Sequence, residues 1–274
     1  MINNKLAIIG GGNMGRAIAR GLIRGGMHST DLCIAEPGEQ QCELLRKEFY
    51  GALVTSDNET AAKNAEILLF AVKPQILKSV CRNLSDLAQS TKPLIISIAA
   101  GSRADDIDSW LGGKMSIVRV MPNQPAMIDQ SISALYANTK VKKEYRSLAE
   151  NVMSSVGQFV WIDDESQMDA VTALSGTGPA YFYLLIDIMI ESGIKYGLEP
   201  DTARTLAVET ARGATALAAA ETESMAKMID RVRSPGGTTM AAFKHLDSEN
   251  ARGIFEDAIE TARHRSAELA KENN

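Results

Sequence analysis

The sequence has few of the residues from which disulfide frameworks and metal sites are built. It contains three cysteines and three histidines among 274 residues. Cys33, Cys42 and Cys81 are odd in number, lie in the N-terminal third and lack C-x-x-C spacing, which argues against a disulfide framework and against a zinc site. The histidines have no partner at metal or triad spacing. We therefore expect no bound metal and a reducing, cytoplasmic compartment.

Charge of one sign and long apolar runs are also lacking. Lysine and arginine total 29 against 34 acidic residues, a net charge of −5, and the two signs are interspersed. That pattern favours neither nucleic acid nor an anionic membrane surface as a partner. The N-terminus lacks a signal pattern, and no uninterrupted apolar run reaches the roughly 20 residues of a membrane span. We expect a soluble, unprocessed protein that binds a small molecule.

Two kinds of pattern divide the chain near residue 164. The first part alternates short β-type runs with amphipathic helical segments, which predicts a doubly wound, mostly parallel sheet of the Rossmann type. The second part reads as helix throughout. We predict an α/β dinucleotide-binding domain at 1–163 and an all-α domain at 164–274. The strands are expected near 5–10, 32–36, 67–72, 94–98, 116–120, 132–136 and 158–162.

The predicted helix at 180–196 is nearly free of charge, with Asp187 and Glu191 its only acidic residues. A helix that is apolar on most sides has to be buried on most sides. A helical domain of about 110 residues buries too little surface to cover such a helix alone. We therefore expect a second subunit to cover it, and predict a homodimer.

The chain opens with a glycine-rich loop of the kind that binds dinucleotides. A buried strand runs into Gly10-Gly-Gly12-Asn-Met-Gly15, which opens a helical pattern, and Glu36 ends the next predicted strand. Strand, glycines, helix and acidic residue together predict a cofactor site, with packing of a tight turn as the alternative. Glu36 favours a ribose hydroxyl and hence NADH, since a carboxylate repels a 2′-phosphate. Arg16 or Asn58 as a phosphate partner leaves NADPH open.

Two further segments lie where predicted strands end, which is where open α/β sheets bind ligands. Ala71-Val-Lys73-Pro74 and Ser97-Ile-Ala-Ala-Gly101 offer small residues that let a cofactor approach the backbone. Lys73 is interpreted either as a ligand contact or as a surface lysine before a helix-starting proline. Arg119 and Asn123 are either polar lining or structural residues of a turn.

The segment Arg233-Ser-Pro-Gly-Gly-Thr-Thr239 places a glycine-rich, hydroxyl-bearing loop before a helical pattern. Free N–H groups at such a helix start attract a small anion. Ser175-Gly-Thr-Gly-Pro-Ala-Tyr181 has the same order of loop and helix, and is interpreted either as a second wall of a pocket or as an ordinary turn.

These motifs together resemble the pyrroline-5-carboxylate reductase family over essentially the whole chain. The segments that carry the resemblance are Ile9–Gly15, Ala71–Pro74, Ser97–Gly101, Arg119–Asn123, Asp169–Tyr181 and Ser234–Thr239. Four positions depart from the family pattern: Gln124, where threonine is usual, Thr177, where serine is usual, and Arg231 and Arg233, where the family is usually less basic. Neither Gln124 nor Thr177 removes an expected catalytic group, whereas the added charge of Arg231 and Arg233 leaves open a difference in cofactor phosphate contacts or in substrate preference.

The resemblance implies hydride transfer from NADPH or NADH to the C=N bond of 1-pyrroline-5-carboxylate, giving L-proline in the last step of proline biosynthesis. It implies homodimers built through the helical domain, with a ring of five dimers as a further assembly. It also implies the site residues. Ser234 and Thr239 are the expected catalytic groups, and the substrate contacts are Glu165, Gly237, Thr238 and Thr239. The cofactor residues are Ile9, Gly10, Gly11, Gly12, Asn13, Met14, Glu36, Asn58, Ala71, Val72, Lys73, Pro74, Ala99 and Ala100.

Two other functions compete with this interpretation. A 3-hydroxyacid dehydrogenase typically places a lysine on the helix after a Gly-x-Gly pair to deprotonate an alcohol. Here Phe182 stands at the corresponding position, four residues after Gly178. A non-catalytic nucleotide-binding scaffold is the second alternative, and the intact Ser234–Thr239 loop argues against it.

Overall fold

The computed structural model describes residues 4–272, which form two compact units. Within the described residues, the first unit comprises 4–177 and 262–272, and the second comprises 178–261. The first unit contains an eight-stranded sheet. Its strands are β1 (Leu6–Ile9), β2 (Leu32–Ala35), β3 (Leu53–Thr55), β4 (Ile67–Phe70), β5 (Leu94–Ser97), β6 (Ile117–Met121), β7 (Ser131–Ala137) and β8 (Gly157–Trp161).

The strand order in the sheet is β3-β2-β1-β4-β5-β6-β7-β8. All neighbouring pairs are parallel except β6 and β7. The chain moves outward from β1 through β2 to β3 and then returns to β4 on the other side of β1. That reversal is the switch point at which open α/β sheets leave a crevice for a ligand. The predicted Rossmann-type, mostly parallel sheet is confirmed.

Helices follow most strands of the first unit. They are α1 (Asn13–Arg24), α2 (Glu39–Glu48), α3 (Asn58–Ala62), α4 (Pro74–Asn83), α5 (Ser85–Thr91), α6 (Ala104–Trp110) and α7 (Lys143–Ser154). The apolar residues of the central strands alternate between two buried clusters. Ile8 and Leu69 belong to one, and Ile9 and Phe70 to the other. Because successive side chains of a strand point to opposite faces, the sheet is covered on both faces.

The rest of the described chain is helical. The helices are α8 (Met168–Val171), α9 (Gly178–Lys195), α10 (Pro200–Ala220), α11 (Met225–Val232), α12 (Thr238–Ser248) and α13 (Ala251–Glu272). A π-helical turn at Thr172–Gly176 links α8 to α9, and the sequence did not indicate it. The domain limits 1–163 and 164–274 stay a prediction. The predicted all-helical second domain is confirmed as a fold class.

The apolar face of α9 is open to solvent in the single subunit. Five of its large apolar residues are each half or more exposed: Phe182, Tyr183, Leu184, Leu185 and Ile188. The helical stretch Glu165–Lys195 is long and apolar enough, by length and composition alone, to cross a membrane. An exposed apolar surface of this kind is also typical of an interface with a second subunit.

The three cysteines are free thiols, two of them buried and Cys33 partly so. Burial raises the pKa of each, and raises the pKa of Cys81 to about 12 from the ordinary 9.0. A thiol of that pKa holds about a thousandfold less reactive thiolate at pH 8 than an ordinary one. Disulfide chemistry on these residues is therefore disfavoured while the protein is folded.

We expect Cys81 to be the last cysteine to react with iodoacetamide in the folded protein at pH 8, and Cys33 the first. Labelling followed by peptide mass spectrometry measures this, with the urea-unfolded protein as control. Cys81 reacting at its unfolded rate would contradict the prediction. The folded state holds the Cys81 proton more tightly than the unfolded chain does. The stability that this shift contributes is therefore fully present below about pH 9 and is lost between about pH 9 and 12.

Candidate active site

Three glycines at the junction of β1 and α1 have different structural roles: Gly10 and Gly12 in the loop, and Gly15 in the first turn of α1. Gly10 has a φ of +110°, and a Cβ there would lie 2.6 Å from the carbonyl oxygen of Ala71. A Cβ on Gly15 would collide with the carbonyl oxygen of Gly10, so glycine brings α1 close to β1. Gly12 has open space around its Cα. A ligand can therefore approach the backbone at Gly12, as the pyrophosphate of a dinucleotide does in this motif.

The start of α1 offers unpaired N–H groups beside Gly12. The first bond of this turn runs from the Arg16 N–H to the Gly12 carbonyl, at 2.8 Å. The N–H groups of Asn13, Met14 and Gly15 have no partner within the described chain, and no side chain caps the helix. Such N–H groups and the positive end of the helix dipole favour an anion.

Glu36 lies directly after β2 and is fixed by backbone donors. Its carboxylate accepts the Gly11 N–H at 3.0 Å and the Gly38 N–H at 3.1 Å. Asn58 begins α3, just after β3, and the Glu36 N–H donates to Thr55 at the end of β3. Glu36 and Asn58 therefore follow the carboxyl ends of adjacent strands. Arg16 is paired with the carboxylate of Glu48. The guanidinium that the sequence analysis considered as a partner for a 2′-phosphate is therefore already engaged.

A cleft of about 380 Å³ opens beside Gly12 at the switch point of the sheet. Nine residues line it, from the ends of β1, β4, β5 and β6: Gly12, Asn13, Met14, Ala71, Val72, Lys73, Ile98, Met121 and Pro122. The structure thus brings together predicted cofactor residues from two separate motifs. Met121 and Pro122 were missed from the sequence. Their position at the end of a predicted strand was the signal that could have found them.

The remaining predicted cofactor residues flank this cleft in the chain. Ile9 is the last residue of β1, and Gly11 follows Gly10. Ala99 and Ala100 come two and three residues after β5, with Ala99 buried. Pro74 is the first residue of α4, and Lys73 before it is exposed. Each one follows a parallel strand or ends one.

Arg119 forms a partly buried ion pair with Glu165. Its Nη1 lies 3.1 Å from Glu165 Oε1, and the two side chains are 6% and 18% exposed. The same oxygen accepts the Ala104 N–H at 2.8 Å, at the start of α6. Tyr136 stands opposite Arg119 in the register of β6 and β7. Burial, assisted by the Glu165 charge, raises the pKa of Tyr136.

Asn123 has a structural role in the turn after β6. Its Oδ1 accepts hydrogen bonds from the Ser131 hydroxyl and the Ile132 N–H, both at 3.1 Å. The side chain is 8% exposed. Of the two interpretations that the sequence left open for Arg119 and Asn123, the observed partners favour the structural one for both.

The loop before α12 presents unpaired N–H groups. The Gly237 N–H donates to the Ser234 carbonyl at 3.0 Å, which closes a turn, and Gly236 has a φ of +72°. A Cβ on Gly237 would collide with Ser234 Oγ, so glycine lets the serine hydroxyl lie against the start of α12. Within residues 4–272 the N–H groups of Thr238 and Thr239 have no partner. This geometry suits a small carboxylate.

The hydroxyls of the Ser175–Tyr181 segment are mostly satisfied locally. Ser175 Oγ donates to the Val171 carbonyl at 3.1 Å, and Thr177 Oγ1 to the Thr172 carbonyl at 3.1 Å. These bonds stabilise the π-helical turn, a feature often found near functional sites. Among the described residues there is no cluster of acidic, histidine or cysteine side chains that could hold a metal ion.

Two family models match the chain. Residues 165–269 match a model described as pyrroline-5-carboxylate reductase dimerisation. Residues 5–101 match a model described as NADP oxidoreductase, coenzyme F420-dependent. The pyrroline-5-carboxylate reductase of Pseudomonas aeruginosa is 40% identical over 272 residues, covering 99% of both chains. The chain belongs to the pyrroline-5-carboxylate reductase family.

Solved reductases of this family share the whole fold. The structure of a pyrroline-5-carboxylate reductase from Coxiella burnetii matches with a TM-score of 0.90 and 37% identity over 98% of this chain and 99% of that one. A pyrroline carboxylate reductase from Plasmodium falciparum, solved with NADP bound, matches with a TM-score of 0.88 and 29% identity over 98% of this chain and 99% of that one. The predicted family and the NAD(P)-dependent oxidoreductase class are confirmed. The helical region is a dimerisation domain of this reductase family.

Proposed function

We propose that this chain reduces 1-pyrroline-5-carboxylate to L-proline with NADPH or NADH, as the last step of proline biosynthesis. The observation that carries the proposal is the full-length similarity to a pyrroline-5-carboxylate reductase at 40% identity. The two anion-binding helix starts, at α1 and α12, support it independently. One suits the pyrophosphate of a nucleotide, and the other suits the carboxylate of a small substrate.

On the cofactor side, the loop Ile9–Met14 binds the pyrophosphate. The N–H groups of Asn13 and Met14, unpaired within the described chain, are its donors. Glu36 and Asn58 bind the adenosine ribose, and Ala71, Val72, Lys73, Pro74, Ala99 and Ala100 surround the nicotinamide end. The cleft beside Gly12 supports this assignment, because it is lined by residues of both the β1 and β4 ends.

On the substrate side, backbone N–H groups around Gly237, Thr238 and Thr239, with the Ser234 hydroxyl, bind the carboxylate. Thr239 Oγ1 donates to or accepts from the ring nitrogen and relays a proton to it. Glu165 is retained as a substrate contact. Its carboxylate also accepts the Ala104 N–H and pairs with Arg119, so part of its hydrogen-bonding capacity is already used.

The reaction does not require a strongly acidic or strongly basic side chain. A bound reduced nicotinamide supplies a hydride to the imine carbon, while the ring nitrogen ends protonated. A protonated imine is electrophilic without further activation, so positioning and electrostatics carry most of the catalysis. Hydroxyl and backbone N–H groups fit this demand. The competing hydroxyacid dehydrogenase would need a general base, and Phe182 offers none.

We further propose a homodimer assembled through α9 and its neighbours, with a ring of five dimers as the higher assembly, and the folding domains 1–163 and 164–274. The half-exposed apolar residues of α9 support the dimer. Three free thiols and a charge of mixed sign support a cytoplasmic enzyme with neither a nucleic-acid nor a membrane partner.

Ser234→Ala and Thr239→Ala are each expected to lower kcat/KM for 1-pyrroline-5-carboxylate by about tenfold or more. Each removes a hydrogen bond to a charged ligand, worth about 1.5–3 kcal/mol. Loss of nicotinamide absorbance measures turnover, run with NADH and NADPH separately. The preferred nucleotide also tests the assignment of Glu36.

Two matched variants sharpen this experiment. Thr239→Ser keeps the hydroxyl and should restore most of the activity. Ser248→Ala removes a hydroxyl at the other end of α12, where it donates to the His245 carbonyl, and should leave turnover unchanged. Nucleotide binding without oxidation of either nucleotide would refute the reductase function and favour a binding scaffold.

A further inference from the structure

Arg233 connects the two helices on either side of the substrate loop. The loop runs from Ser234 to Gly237, between α11 and α12. The Arg233 guanidinium lies over the ring of Phe243, 4.4 Å from its centroid, and its Nη2 lies 3.2 Å from Asp247 Oδ2. Nη1 lies 3.8 Å from Asp230 on the last turn of α11. The side chain thus spans the base of the loop.

The contacts on α12 have the spacing of one helix face. Phe243 and Asp247 are four residues apart, so they lie one above the other and form a single surface for the planar guanidinium. The Arg233 side chain is only 23% exposed. Stacking on an aromatic face together with a charged hydrogen bond fixes both the plane and the direction of the group.

The loop itself has little that would hold it in one conformation. Gly236 has a φ of +72° and no atom within 4 Å of the position of a Cβ. Glycine has more backbone freedom to lose than any other residue, and only Pro235 stiffens this segment. Within the described chain the loop backbone makes two hydrogen bonds, the Gly237–Ser234 turn and the first bond of α12, from the Ala241 N–H to the Gly237 carbonyl at 3.2 Å. Arg233 supplies the missing constraint from outside it.

We propose that Arg233 is a positioning residue, which holds the loop 234–237 and the first turn of α12 in the conformation that receives the substrate carboxylate. This inference rests on the proposed function of that loop. Asp230 and Asp247 neutralise the guanidinium, so Arg233 acts through geometry rather than by attracting the anion. If only a fraction of the molecules has the competent conformation, the apparent affinity is the intrinsic affinity multiplied by that fraction.

Arg233→Ala is expected to raise KM for 1-pyrroline-5-carboxylate about fivefold, with kcat and KM for the nucleotide changed by less than about twofold. In the nucleotide-free protein, amide hydrogen exchange in a peptide covering 233–240 should become faster. Asp247→Asn should give a smaller change in the same direction. Arg233→Lys keeps the charge without the planar stacking group and should restore the KM only in part.

Arg231→Ala is the matched control. This substitution removes the same charge from the end of α11, but Arg231 pairs with Glu221 and Glu223, and within the described residues no ion pair joins it to α12. Its KM and its exchange at 233–240 should equal those of the unmodified protein.

Three results would overturn the inference: an equal rise of KM in both alanine variants, full rescue by Arg233→Lys, or unchanged exchange in the Arg233→Ala protein. The first two would mean that the charge matters rather than the clamp. Failure of the unmodified protein to reduce 1-pyrroline-5-carboxylate would refute the proposed function. The exchange measurement would still report whether Arg233 orders the loop, so the two failures are distinguishable.

Discussion

Replacing Gly12 by alanine is expected to weaken binding of the nicotinamide nucleotide by about a hundredfold or more without lowering the melting temperature. Gly12 has a φ of −72° and a ψ of −172°, which any L-residue adopts. No atom lies within 4 Å of the position of its Cβ, so the folded chain has room for a methyl group. A bound pyrophosphate would lie against the backbone at this position, so the added methyl group would occupy the space that the pyrophosphate needs. A loss of about 3 kcal/mol corresponds to this change in affinity.

Gly10→Ala is the contrasting variant. A Cβ at Gly10 would lie 2.6 Å from the Ala71 carbonyl oxygen, and its φ of +110° disfavours any side chain. Both obstacles come from the backbone, so a side-chain movement cannot relieve them. We expect this variant to lose about 2–4 kcal/mol of stability.

Nucleotide titration followed by fluorescence, together with thermal unfolding at one protein concentration, separates the two effects. Gly12→Ala should show weakened nucleotide binding in the titration, and Gly10→Ala should show a lowered melting temperature in the unfolding experiment. If Gly12→Ala binds nucleotide like the unmodified protein, the pyrophosphate does not approach this backbone and the cofactor assignment is wrong.

Replacing Arg119 by methionine is expected to lower the free energy of unfolding by about 3–5 kcal/mol. The change leaves the Glu165 carboxylate partly buried without its cation, and breaking one half of a buried pair costs about that much. Of its two hydrogen-bond partners among the described residues, Glu165 would keep the Ala104 N–H. The start of α6, which this carboxylate caps, should loosen as well.

Glu165→Gln and the double variant complete a double-mutant cycle. Glutamine still accepts the Ala104 N–H through its amide oxygen, so its effect should be smaller than that of Arg119→Met. The double variant should be less destabilised than the sum of the two, because no unpaired charge remains.

Urea unfolding at a fixed protein concentration measures these changes, since dimer stability depends on concentration. Arg46→Ala serves as control. Its ion pair with Glu39 has side chains 45% and 67% exposed, so its loss should cost under about 1 kcal/mol. Additive effects at Arg119 and Glu165 would show that the pair is not coupled.

The sequence predicted the sheet well where strands are buried on both faces. Ile67–Phe70 and Leu94–Ser97 are continuous apolar runs, and both are fully buried strands. The sequence missed β3, because Leu53–Thr55 is too short to show a period and has only Val54 fully buried. It also missed the π-helical turn at Thr172–Gly176, since the same residues fit an α-helix. The difference between i+4 and i+5 bonding leaves no mark in composition.

In the candidate site, too, the sequence predicted the local motifs and missed the contacts between side chains of different elements. Gly10, Gly12 and Gly15 were identifiable because their spacing and their place at the junction of a strand and a helix are local features. The partners of Arg119 were not, because Glu165 is 46 residues away in the chain. Nor does spacing alone tell that Arg233 contacts Phe243 and Asp247 across a glycine loop.

By itself the sequence determined the family, the two fold classes, the glycine loop and the substrate loop, because these depend on local periodicity and on short motifs. Only the tertiary structure decided which motifs share the cleft at the β1–β4 switch point and which polar residues are engaged in structural contacts. Hydrogen-bond partners and burial depend on residues distant in the chain. They arise when strand order brings the carboxyl ends of β1, β4, β5 and β6 to one edge of the sheet.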